Sequence, residues 1–117
     1  MGIQIYISKK NFDVQKAQRF FKERRIKVQE VDLKKHVPGD RELQVMAGAS
    51  GIRSLLDLDD KKVQEHSAAH NSDPGYIQEA VKEQPWLLKS PIVRCGSRVT
   101  VGYCPDVWET WIREGKA

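Results

Sequence analysis

Two cysteines, three histidines and a pair of arginines are the side chains here whose types and spacing suit chemistry. A thiolate is the strongest nucleophile a cytosolic chain carries, and its availability depends on the thiol's pKa. Cys104 stands beside Pro105 at a helix entrance, where first-turn N–H groups lower a thiol's pKa. Cys95 follows Arg94 at a Gly96-Ser97 turn, so the strands flanking that turn bear on how near the two thiols come. A thiol oxidoreductase working through Cys104 or Cys95 is one expectation, with Cys104 the better placed; two ordinary thiols is the plainer one. His66 and His70 have the i, i+4 spacing of two metal ligands on one helix face. No third ligand accompanies them and residues 67–73 read as loop, so neither a metal nor another cofactor is expected. Arg94 and Arg98 read as strand bases in preference to anion contacts. Trp108 and Trp111, at i, i+3, read as packing against a core, and Trp86 as packing also, in preference to a base-stacking platform.

The elements that position these residues follow from periodicity. Ile3, Ile5 and Ile7 alternate with Gln4 and Tyr6, a strand pattern. After the polar turn 8–11, Val14, Ala17, Phe20 and Phe21 fall at helical spacing. Asn11 is a favoured N-cap and Asp13 complements the helix dipole. A second strand lies within 26–33, around Val28 and Val31, and strand-helix-strand units are normally parallel crossovers. Short apolar helix faces follow at Leu43, Val45 and Met46, then at Ile52, Leu55 and Leu56, divided by a break at 48–51. Residues 61–75 are polar and turn-rich, and Ile77, Ala80 and Val81 resume a helix. Strands from Pro91 and over 98–101 flank the Gly96-Ser97 link as a hairpin, and Pro105 opens a closing helix. The expected fold is α/β, a thioredoxin-like mixed four-stranded sheet in the order β-α-β then β-β-α. A helical insertion occupies about 37–88 of a single domain, 1–117.

Bulk properties narrow the setting. A content of 39% hydrophobic and 31% charged residues suits a globular domain. The net charge of +4 comes from 20 basic and 16 acidic residues interleaved, as at Lys22, Glu23, Arg24 and Arg25. A mixed solvated surface is therefore expected, and nucleic acid is not an expected partner. Two cysteines are too few for a secreted disulfide framework, residues 1–6 form no charged or apolar leader, and no window reaches the length of a membrane span. A cytoplasmic protein with reduced thiols and no membrane association is expected.

Several stretches resemble the ArsC/Spx family of arsenate-reductase-like proteins. Residues 5–13, Ile-Tyr-Ile-Ser-Lys-Lys-Asn-Phe-Asp, look like its first strand and active-site loop. Residues 17–24 look like its first helix and 31–35 like its second strand. Residues 87–94, Leu-Leu-Lys-Ser-Pro-Ile-Val-Arg, are similar to its leucine-lysine lead-in to an X-Pro-aliphatic strand, and 101–105 to the turn into its last helix. The resemblance implies a cis Ser90–Pro91 bond and places Pro91 beside the site. It also puts Asn11 where the family has its reactive cysteine. The family's three oxyanion arginines then correspond to Ser90, Asp57 and Tyr103, and Asp57 would repel an anion.

An amide cannot act as a thiolate, so arsenate reduction is not expected, and the residues favour a non-enzymatic binding or regulatory role. The candidate site is Asn11 and Pro91, with Arg94 and Arg98 as weaker binding candidates. By analogy with Spx-like relatives, the partner expected is a protein such as RNA polymerase. An enzyme, if this is one, would be arsenate-reductase-like and act on thiols such as glutathione.

Overall fold

A computed structural model describes residues 2–115 of the chain; Met1, Lys116 and Ala117, which the expected domain 1–117 includes, lie outside the described residues. Strand β1 (Ile3–Ile7) runs to helix α1 (Phe12–Glu23) and strand β2 (Val28–Asp32). Helices α2 (Asp40–Ala47), α3 (Lys61–Gln64) and α4 (Pro74–Glu83) follow, and β3 (Ile92–Cys95), β4 (Arg98–Val101) and α5 (Pro105–Arg113) close the chain. The strands form one sheet in the order β2-β1-β3-β4. β1 and β2 pair in parallel, with Ile5 opposite Glu30, while β3 is antiparallel to both neighbours. This is the mixed thioredoxin-like sheet that the periodicity implied.

The alternation in β1 sorts the core into two halves. Ile3 and Ile5 face α1 and α5, packing with Ala17, Phe20, Phe21, Val93 and Trp108. Tyr6 faces the opposite way, into the helical segment between β2 and β3, with Leu43, Leu55, Leu56 and Leu88. A period of two carries each strand between the layers, so a slip of one residue would exchange them. Trp108 is fully buried, touches the rings of Phe20 and Phe21, and donates its indole N–H to Thr100 Oγ1 at 2.8 Å.

Helix α1 ends in a left-handed turn. The Ile26 N–H reaches the Phe21 carbonyl at 2.9 Å and the Arg25 N–H that of Lys22 at 3.0 Å, the paired bonds of a Schellman cap. Arg25 holds the left-handed position, at φ 56°. Glycine is the usual residue there, and a side chain costs roughly 1–2 kcal/mol. In the β3–β4 hairpin the turn does use glycine, Gly96 at φ 63°.

The polar stretch 61–75, expected as turn, contains α3 and a 3-10 turn at Ser67–His70. Their starts are local caps: Asp60 accepts from the Lys62 N–H, and the His66 ring accepts from the Ala68 N–H. His70 bonds the Gln64 carbonyl, so the two histidines serve backbone groups instead of sharing a helix face. Among the described residues no cluster of three or more His, Cys, Asp or Glu side chains is placed to hold a metal ion. None of the described helices is long and apolar enough to cross a membrane.

Candidate functional site

The loop after β1 and the segment before β3 meet at one end of the sheet. Ser8, buried, donates its hydroxyl to the Leu88 carbonyl at 2.8 Å. Ser90 returns the contact, donating to the Lys9 carbonyl at 2.8 Å. Asn11 completes the seam with both ends of its amide: Oδ1 accepts from the Val14 N–H at 2.8 Å and Nδ2 donates to the Ser90 carbonyl at 2.8 Å. The first bond is the helix cap its residue type suggested. The second ties α1 to the residue preceding Pro91, whose peptide bond with Ser90 is cis. The Gly102 N–H takes the Pro91 carbonyl at 2.8 Å, so the start of β3 is held from the α5 side as well.

A third segment closes in from the helical insertion. Lys9 extends its ammonium between Asp57 at 2.7 Å and Asp60 at 2.8 Å. Burial alone would lower the Lys9 pKa; its bonds to Asp57 and Asp60 outweigh that, and the pKa is raised. The hydrogen bond from Lys9 in turn holds the Asp60 carboxyl below the usual carboxylate range, helped by the Lys62 N–H. Asp57 is itself anchored by its N–H to the Leu87 carbonyl at 2.9 Å, next to a bridge between Leu56 and Leu88. One cation faces two carboxylates, so the Lys9 charge is already engaged within this corner. An open hollow beside the loop is walled by Lys9, Lys10 and Lys34 together with Glu30 and Asp32, a mixed lining.

Of the two thiols, Cys95 lies elsewhere, whereas Cys104 stands two residues beyond Gly102, which bonds Pro91, and near Asp13 of α1. Cys104 precedes α5, and the helix entrance does not activate it. Burial pushes its pKa up, and the nearby Asp13 charge adds to that. The expected dipole effect fails for a local reason: Pro105 fills the first helical position and has no N–H, and no side-chain bond forms from the Cys104 cap. The thiol lies 3.5 Å from the Val101 carbonyl. Cys95 is buried at the far end of β3, opposite Arg98, whereas Cys104 lies beyond Val101 at the other end of the hairpin. Arg98 and Val101 are three steps apart along the strand, roughly 10 Å, which exceeds the span of a disulfide.

The arginines lie away from Asn11 as well. Arg94 folds its Nε back onto the Gly96 carbonyl at 2.7 Å, and its charge acts on the Tyr6 hydroxyl on the insertion side of the sheet. Arg98, level with Cys95, pairs with Glu114 at 3.0 Å. The antiparallel register is the reason: β3 leads from Pro91 away from the seam, so residues 94 and 98 sit at its distal end. Of the sequence candidates, Asn11 and Pro91 come together and Arg94, Arg98 and Cys95 do not. Of the three positions that the resemblance matched to oxyanion arginines, Ser90 and Asp57 are in the site, while Tyr103 is partly exposed at the approach to α5. The sequence reading missed Ser8, Lys9 and Asp60. Lys9 and Asp60 are 51 residues apart, and no local spacing joins them.

Comparison with known proteins places this geometry. The model of the ArsC family matches residues 6–111, nearly the whole described chain. No curated protein matches. Among solved structures, the YffB protein superposes with a TM-score of 0.80 at 20% identity, over 92% of this chain and 96% of that one. An arsenate reductase from Vibrio cholerae gives 0.77 at 20% identity, over 92% and 94%. An arsenate reductase (ArsC) related protein from Brucella melitensis gives 0.69 at 21%, over 97% and 96%. At these identities the likeness is one of fold.

Proposed function

The chain belongs to the ArsC family, and from that premise we propose that it is a binding or regulatory member and not an arsenate reductase, with Asn11 at the position of the family's reactive cysteine. The observation that supports this reading is the saturation of Asn11: its amide oxygen is spent on the Val14 N–H and its nitrogen on the Ser90 carbonyl. Reducing arsenate requires a thiolate to attack arsenic and a thiol pair to supply two electrons; an amide supplies neither. The charge at the seam favours the same reading, because Lys9 is already neutralised by Asp57 and Asp60. A thiol oxidoreductase at Cys104 or Cys95 has less support, since burial raises the Cys104 pKa and Cys95 lies within the core.

The test is a pair of measurements. Incubated with arsenate and glutathione, the wild-type chain should show no thiol oxidation above a protein-free blank. Asn11→Cys should add a thiol at the α1 N-terminus, alkylated by iodoacetamide with a pKa below the ordinary value of about 8.5. Arsenate-dependent turnover by the wild type, abolished by Cys104→Ser, would overturn the proposal.

A further inference from the structure

Helix α1 gathers on one face charges that the linear sequence interleaves. Residues 9–27 contain eight Lys or Arg and two Asp or Glu, while the rest of the chain has twelve basic against fourteen acidic. The protein's excess positive charge is thus confined to α1 and its two flanks. Val14, Ala17, Phe20 and Phe21 turn inward. Residues three and four apart share a helix face, so Phe12, Lys16, Arg19 and Lys22 form one outward stripe, with Glu23 its single acid. Lys10 precedes this stripe and Arg25 and Lys27 follow it, all exposed. Few of these charges are neutralised: Arg24 pairs with Glu109 and Lys16 lies over the Tyr103 ring, but Arg19, Lys22, Arg25 and Lys27 have no acidic partner among the described residues.

Two observations mark the stripe as more than a solvated face. Phe12 is 80% exposed at its head, and among the described residues no other large hydrophobic side chain is as open. Arg25 occupies a left-handed position, φ 56°, where glycine would be unstrained. Strain borne by a charged side chain at the end of a cationic row is the kind of outlier that accompanies function.

We propose that the outward face of α1, from Lys10 to Lys27, docks an acidic segment of a protein partner, with Phe12 as its apolar anchor. The proposal rests on the binding reading above and supplies the chemistry of the partner. Charge complementarity selects an anion. The groove between α1 and α5 selects protein over nucleic acid, because it sets Glu23, Asp106 and Glu109 beside Lys16 and Arg19: a protein segment can place acidic groups on the cations and basic or neutral groups on the carboxylates, whereas a phosphate backbone is anionic throughout. A membrane surface fits less well: the apolar face of α1 is spent on the core, leaving Phe12 alone to insert, whereas interfacial helices present a broad apolar face.

The probe is a fluorescein-labelled helical peptide with Glu at i, i+3, i+4 and i+7 and a terminal Leu, read by anisotropy against duplex DNA and phosphatidylserine vesicles at one ionic strength. Saturable peptide binding is expected, weakened by salt because exposed charges are screened. Arg19→Glu combined with Lys22→Glu should weaken it about tenfold or more. Phe12→Ala should weaken it less. Arg25→Gly should reduce affinity while raising the melting temperature, a divergence that a purely structural arginine would not give. These positions are exposed, and circular dichroism checks that each variant folds. No peptide binding, unchanged affinity in the charge-reversed variant, or tighter binding to DNA or vesicles overturns the proposal. Arsenate turnover by the wild type would defeat the preceding reading and leave this result standing.

Discussion

Helices α1 and α5 lie on the same face of the sheet and begin in opposite ways. At α1, Asn11 uses both ends of its amide, capping Val14 and gripping the Ser90 carbonyl. At α5, Cys104 makes no side-chain cap, and Pro105 removes one N–H from the first turn. What holds α5 is Trp108, fully buried against Phe20 and Phe21 with its indole bonded to Thr100. The contrast shows that a helix N-terminus is not by itself a reactive position. The residue type at the cap, the presence of proline and the depth of burial decide between a structural joint and an activated thiol.

The largest test of this contrast is at Trp108. If packing anchors α5, Trp108→Ala should cost about 3–5 kcal/mol in urea unfolding; a loss under about 1 kcal/mol would mean that the start of α5 is held by something else. At α1 the anchor is polar, and Asn11→Ala should cost about 1–2 kcal/mol for the lost cap and the uncovered Ser90 carbonyl. Asn11→Asp separates the two parts: it keeps the cap but sets a carboxylate against that carbonyl, so its stability should fall between those of wild type and Asn11→Ala. Equal stability of all three would remove the seam from the account.

The smallest effect is electrostatic. Asp60 has its pKa lowered by Lys9, so its contribution is present above the unfolded-state value near 3.9 and is lost as pH falls through the lower folded value. Lys9 has its pKa raised, so its contribution is present below about 10.4 and is lost as pH rises through the folded value. Lys9→Met should therefore be less stable than wild type at pH 7 by under about 1 kcal/mol, the partners being partly exposed. That gap should close as pH falls through the lowered Asp60 value. A gap that persists in acid would mean that Lys9 acts through packing.

Much of the scaffold was legible because its signals are local. The Ile3, Ile5, Ile7 alternation, the helical spacing from Val14 to Phe21 and the Gly96-Ser97 turn each lie within a few residues, and β1, α1 and the hairpin form where those signals put them. The cap role of Asn11 was legible for the same reason. Its second bond was not, since Ser90 is 79 residues away, and neither was the Lys9 bridge to Asp57 and Asp60. Residues 61–75 read as turn because α3 has four residues, too few to show a period. Cys104 misled because its position beside a helix start was visible while its burial, which sets its pKa, depends on elements far along the chain.

The seam at the sheet's end has a topological consequence. Ser8 bonds Leu88 across 80 residues, and Ser90 bonds Lys9 across 81. Each contact closes a loop containing most of the molecule, and such closure carries an entropic cost that short-range structure alone does not offset. The hairpin and α1 can form from neighbouring residues, but the corner around Asn11 exists only once both ends of the long loop have met. Its geometry is therefore a readout of the completed fold, and no fragment ending before Ser90 contains it.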